Sequence, residues 1–386
     1  MPDIETPSER YDFLDWLRVI AIFVLFFFHT GMIFVGWGWH VVNDQTIPAL
    51  AWPMDIAHRL RMPLLFVIAG AGMRFALRRR GVRQVLRERT LKLLLPLVVG
   101  MFLIVPPQIY VERLLDGQWH GSYLGFYLAR VLRFQPYPSG DFSWHHLWFI
   151  AYLYVYVLVL LPLLPWLARL ASRIAPGKWL LLLSLPLGIN ETLLKSLFPE
   201  SHNLVSDWYT FNHYLLLTAY GYVIACLPGA WAWLSDFRRW SLALGMASIV
   251  LLIVSFQTGW VAHDSVVDHV GANVFTWSCI MAFLGYGYRY LSFSNRLLAW
   301  ARDASYPVYI LHQTVIVLVG YLVIQEPWTP WTKYAAVLVL SIGASLALYG
   351  CVRRVPALRV AFGMKRMVSA RPDRPAKSPT AFEDVR

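Results

Sequence analysis

A chain of 386 residues that is 58% hydrophobic and only 15% charged is too apolar for a soluble domain, in which about a quarter of the residues carry charge. The net charge of +12 does not point to nucleic acid, because the cations gather in short connections and at the C-terminus, as they do when a membrane protein sets its orientation. Cys226, Cys279 and Cys351 show neither metal-ligand spacing nor a disulfide framework, so no metal and no permanently bound cofactor is expected.

The first apolar run, 13–35, has the ~20 residues that a helix needs to cross a bilayer. It is too long, and too acidic in its approach, for a cleaved leader. Asp15, Arg18 and His29 interrupt it. Eleven residues at ~100° each bring Arg18 and His29 to within about 20° of one another, roughly 16 Å apart along one stripe. Asp15 precedes Arg18 by one helical turn and is placed to orient its guanidinium. Ionisable groups at such depth are expensive unless a partner or a wet cavity receives them. A core imidazole satisfied by a carbonyl is the bland alternative for His29; the stripe it shares with Arg18 favours a functional role.

Further runs at 57–77, 93–111, 146–166, 179–196, 210–228, 240–256, 269–290, 304–324 and 332–352 raise the expectation to about ten helices in an all-α, polytopic integral membrane protein. The stretch 78–92 is strongly basic, whereas 36–53 and 257–268 contain neither Lys nor Arg. That alternation predicts both termini in the cytoplasm.

In the second run His58 and Arg61 share one face at the outer end, and Gly70 and Gly72 are expected to let this helix approach the first closely. Arg89, Lys92 and Arg78 lie toward the cytoplasm. Arg89 and Lys92 serve either as anchors or as a clamp for an anionic ligand such as a nucleotide phosphate. The connection 112–145, rich in aromatic residues, reads as an interfacial element or a lid. His146 in Trp144-His145-His146-Leu147-Trp148-Phe149, His40 in Trp37-Gly38-Trp39-His40, and His213 fit an interfacial aromatic belt as well as a ligand site. His312, in the first half of an apolar helix, is expected to bond a neighbouring helix and serve packing. Residues 1–366 read as one transmembrane domain. Residues 367–386, polar and Pro-rich, read as a disordered basic cytoplasmic tail that favours anionic lipid.

Sorted by depth, cations occupy one end, His29 lies within, and His58, Arg61, His40 and His146 face the other end. This order suits a pore in which an anionic activated donor enters from inside and an acceptor hydroxyl from outside, a neutral histidine taking the hydroxyl proton. A proton-coupled transporter or exporter of an envelope metabolite is the alternative, since histidines in a polar pore can also relay protons.

Several stretches then occur in a characteristic order: Glu9-Arg10-Tyr11-Asp12-Phe13-Leu14-Asp15 with Arg18 and, after ten intervening residues, His29; Trp39-His40-Val41; His58 with Arg61-Met62; Phe66-Val67-Ile68-Ala69-Gly70; Arg87-Glu88-Arg89 before Pro96; His146-Leu147-Trp148-Phe149; and Tyr309-Ile310-Leu311-His312. This set resembles the acyltransferase-3 family of multi-spanning membrane acyltransferases, most of all its glucans biosynthesis protein C group. The resemblance implies a bacterial inner-membrane enzyme that moves an acyl group, succinyl or acetyl, from a cytoplasmic acyl-CoA co-substrate to a hydroxyl of a glucan or other envelope carbohydrate. It implies His29 as the catalytic base, with Arg18 and Arg89 serving the donor or the site architecture. With the depth order, Lys92 and Arg78 join the donor end, and His58, Arg61, His40, His146 and Asp15 the acceptor. Lys92 stands where the family usually has arginine, which gives up bidentate geometry.

Overall fold

The computed structural model describes residues 11–365; Glu9 and Arg10 of the first motif, and the whole stretch 367–386, lie outside the described residues. The helices in chain order are α1 (Asp12–Met32), α2 (Ala51–Arg79), α3 (Val82–Arg89), α4 (Leu95–Leu103), α5 (Pro106–Leu115), α6 (Tyr123–Ala129), α7 (Trp148–Leu160), α8 (Leu164–Ala171), α9 (Ser184–Leu194), α10 (Trp208–Ile224), α11 (Ala230–Gln257), α12 (Val266–Tyr290), α13 (Arg296–Val323), α14 (Pro330–Val352) and α15 (Pro356–Ala361). No strand occurs among the described residues, where one isolated bridge joins Pro136 and Phe142. Ser265, Asn295 and Thr329 start α12, α13 and α14 by accepting a hydrogen bond from a backbone N–H of the first turn, as N-cap residues do.

Seven of the described helices are long and apolar enough to cross a membrane: α1, α2 with its 3₁₀ lead-in, the composite 82–115, and α11 to α14. A bent pair, His145–Leu160 and Leu164–Ala171 at 75°, makes an eighth if counted as one span. The two remaining runs of the expected ten give shorter helices. α9 has 11 residues and buries Asn190 and Glu191, and α10 has 17 residues and buries Thr210, His213 and Thr218. Their apolar runs hold polar groups that turn inward, so length and composition alone do not carry them across.

Apolar residues are shared between a core and a bare face. On α1, Leu14, Leu17, Ala21 and Leu25 are buried, while Ile20, Phe23 and Phe27 remain exposed, which is how a helix between protein and lipid is built. α1 packs against α2, α12, α13 and α14, and α11 packs along α12. α2 lies along α10, and there the small residues do their work. A Cβ built on Gly70 would fall inside the carbonyl of Thr218, and one on Gly221 inside the carbonyl of Val67. The close approach expected of Gly70 is therefore made to α10 and not to α1, while Gly72 has nothing nearer than the Arg89 guanidinium at 3.9 Å.

The third long run is broken where its chemistry requires. Thr90–Leu94 winds as a π-helix between α3 and α4, a form that recurs at functional sites. A second break precedes Pro106-Pro107, since neither proline has an N–H to continue the ladder. The connection from 116 to 145 is held down by buried charge: Arg113 Nε donates to Asp141 at 2.7 Å, and Arg130 Nε donates to the other oxygen at 2.6 Å. Arg113 also donates to the carbonyls of Pro138 and Gly140 at 3.0 and 3.3 Å. With so many partners this ion pair meets the hydrogen-bonding condition for burying charge.

Candidate active site

Two cavities of opposite character open within the bundle. The first, about 700 Å³, is lined by Arg18 of α1, Arg89 and Lys92 around the π turn, Arg302 of α13, and Arg359 and Lys365 near the chain's described end. Asp15 is the brace of this cluster, accepting from Arg18 at 2.8 Å and from Arg302 at 3.4 Å. It thus stands at the basic end, away from the acceptor groups with which the sequence associated it. Arg78 is exposed at the end of α2 and does not line this cavity. The Lys92 carbonyl, within the π turn, accepts from the Tyr306 hydroxyl at 2.8 Å, tying the turn to α13. Guanidinium groups converging on one space suit a phosphorylated anion.

The second cavity, about 810 Å³, is lined by His29, His40, His58, Arg61, His145 and His146, with Trp37, Trp39, Trp144 and Trp148 among its walls. The acceptor-end histidines read from sequence, His40, His58 and His146, meet His29 here, although the four come from four separate stretches of chain. Tyr309 lines both cavities. Its hydroxyl bonds the His146 carbonyl, so the partition between the two spaces is a buried, hydrogen-bonded side chain.

The hydrogen bonds fix the tautomers of neutral imidazoles. His312 Nδ1 faces the Tyr309 carbonyl, which can only accept, so Nδ1 carries the hydrogen and Nε2 the lone pair. His29 Nδ1 lies 3.0 Å from that Nε2 and must donate to it. This leaves the lone pair of His29 on Nε2, in a ring that lines the cavity. The same logic runs through the rest of the wall. His146 Nε2 donates to the Ile310 carbonyl at 2.9 Å, and its Nδ1 accepts from Gln108 at 3.3 Å. Gln313 donates to Gln108 Oε1 at 3.0 Å and lies 3.3 Å from His40 Nε2, whose Nδ1 bonds Glu112. His312, expected to bond a neighbouring helix, meets His29 itself.

Arg61 lies 3.3 Å over the Phe28 ring, and its Nε and Nη1 are buried with no hydrogen-bond partner. At the rim, His58 Nε2 is 3.7 Å from Glu200, which also meets His202 at 2.9 Å. Burial opposes ionisation of Glu200, yet these two imidazoles outweigh it and hold the carboxyl well below the usual carboxylate range. Among the described residues one group of histidine and acidic side chains is close enough to hold a metal, His40, Glu112 and His145, with ligand atoms within 4.8 Å of one another. The hydrogen bond between His40 and Glu112 already satisfies two of the three.

Sequence reasoning overlooked Glu112, Gln108, Gln313 and the orienting contact of His312. A usable signal existed: the run His312-Gln313-Thr314 puts three polar residues in an apolar helix, and each needs a partner at the same depth. Arg302, Arg359 and Lys365 were legible only as cations that orient the chain.

Residues 11–350 match the acyltransferase-3 family model, described as an acyltransferase domain. The chain is 23% identical, over 95% of its length and 98% of theirs, to proteins named glucans biosynthesis protein C from Escherichia coli (strain K12) and Shigella dysenteriae serotype 1. No solved structure matches. The chain belongs to the acyltransferase-3 family, and acyl transfer is its chemistry.

Proposed function

We propose that the protein moves an acyl group, succinyl or acetyl, from acyl-CoA in the basic cavity to a hydroxyl of a glucan or other envelope carbohydrate in the histidine cavity. The donor enters from the cytoplasm, the acceptor from the outer side, and the membrane is the bacterial inner membrane. The observation that carries this reading is that a basic cavity and a histidine cavity share a wall at Tyr309. The relatives' printed name, glucans biosynthesis protein C, supports a glucan acceptor. Membership of an acyltransferase family weighs against the transporter reading.

In the reaction, His29 Nε2 takes the hydroxyl proton as the acceptor oxygen attacks the thioester carbonyl. The carbon–sulfur bond then breaks, and the imidazolium returns its proton to the departing thiolate. His312 holds the His29 tautomer through the 3.0 Å bond. Arg61, with unpartnered N–H groups in the same cavity, stabilises negative charge on the carbonyl oxygen. Arg18, Arg89 and Lys92 hold the phosphates of the donor, and the tryptophan walls offer faces on which sugar rings stack. Anionic lipid neighbours the basic surface.

The test is direct transfer by purified protein. A positioned acid–base group contributes ~10²–10⁴-fold in rate, so His29→Ala is expected to lose that much turnover with folding and donor binding retained. His29→Gln should fare no better, because an amide cannot take the proton. Near-normal turnover by His29→Gln would remove the imidazole from the chemistry.

A further inference from the structure

A third cavity, about 540 Å³, lies beside the histidine cavity, and His58 lines both. The partition between them is the His58–Glu200–His202 cluster, in which His58 is partly exposed and Glu200 bridges two imidazoles. Three observations describe what this side cavity would accept. Its fixed charges are the carboxylates of Asp55, Glu191, Glu200 and Asp264 against Arg59 and Lys195, so it repels an anion and differs in kind from the basic cavity. Its deep groups are built and rigid: Glu191 accepts from Asn273 at 2.7 Å and from Lys195 at 3.0 Å. Finally, buried polar atoms are left without partners there. His213 is 8% exposed and Thr210 is 2% exposed, both line the cavity, and neither His213 Nδ1 nor Thr210 Oγ1 makes a hydrogen bond. A buried polar atom without a partner is costly, and a ligand rich in donors and acceptors would satisfy both.

We infer that this side cavity is a second subsite for a neutral polyhydroxylated chain, holding sugar units next to the one whose hydroxyl reaches His29. The inference rests on the carbohydrate acceptor proposed above. An acceptor spanning both cavities passes the partition at His58, where the carboxylate and imidazoles offer hydrogen bonds to ring hydroxyls. Enzyme and acceptor are then matched in length: a glucose dimer fills the histidine cavity alone, while a longer oligomer reaches Glu191 and Asn273.

Equilibrium binding of glucose dimers and octamers to the full-length protein in detergent, with no donor present, tests this. The octamer is expected to bind at least ~10-fold tighter than the dimer to the wild type. Asn273→Ala is expected to abolish that length advantage. Ser196→Trp, which blocks the cavity from an exposed position, should do the same and guards against a folding defect in the first variant. Equal binding of the two lengths by the wild type, or equal weakening of both in the variants, overturns the subsite. Length-dependent binding without any acyl transfer to the bound oligomer would keep the subsite and sink the proposed reaction.

Discussion

In the proposed reaction His29 becomes a base through what it is bonded to, and that partner is His312. The bond crosses 283 residues of sequence, and its direction is imposed by the Tyr309 carbonyl behind His312. His312 lines neither cavity and reaches one only through His29, so in the proposed reaction it is a positioning residue. His312→Leu is expected to lower turnover by ~10- to 100-fold, in the range seen when an orienting partner is lost. His312→Gln should recover most of that loss, because its amide oxygen can still accept from His29 Nδ1. Equal loss in both variants, with matched thermal stability, would make His312 a packing residue. At the donor end, Arg89→Ala should weaken binding of acyl-CoA by the ~1.5–3 kcal/mol of a charged hydrogen bond. A phosphate-free pantetheine thioester should bind alike to both proteins; equal losses for the two ligands would make Arg89 structural. The stripe joining Arg18 and His29 was legible because helical period alone relates them. Glu112 was not, and of His312 only the need for a neighbouring helix was, because nothing local names a partner that lies on another helix.

Among the elements, the crossing of α2 and α10 is set by Gly70 and Gly221, and it positions His58 and Arg61 on one helix beside His213 on the other. Gly70→Ala must push a backbone carbonyl aside, an overpacking that typically costs ~1–3 kcal/mol, and should lower the thermal midpoint in detergent. Gly72→Ala faces open space apart from a flexible guanidinium and serves as the control. If both variants unfold at the wild-type temperature, the helices are not as close as described. Apolar runs were readable wherever a helix faces lipid, as α11 and α14 do. The expected spans are not confirmed at α9 and α10, where buried Glu191, Thr210 and His213 line a cavity and buried Asn190 donates to the Tyr209 carbonyl, interrupting the run. The π turn at Thr90–Leu94 was equally illegible: Pro96 frees the Lys92 carbonyl from the helix ladder, but a proline alone does not specify a π turn.

The proposed reaction asks the whole molecule to keep its two reactants on opposite sides of one barrier. Cations collect at one end of α1 and histidines at the other, with the buried Tyr309 between them. The depth order of charged residues carried this division in the sequence, while the side cavity and the carboxylate partners within it emerge only when distant helices meet. With the proposed donor and acceptor, this division makes the reaction sided. Proteoliposomes can be loaded with glucan and given membrane-impermeant labelled acyl-CoA outside, with orientation read from an impermeant thiol label on a cysteine placed at the exposed Arg83. Labelled glucan is expected inside only those vesicles whose 78–92 face points outward to the donor, and none when both reactants share one side. Acylation that proceeds when donor and glucan are on the same side of a sealed membrane would overturn a sided reaction.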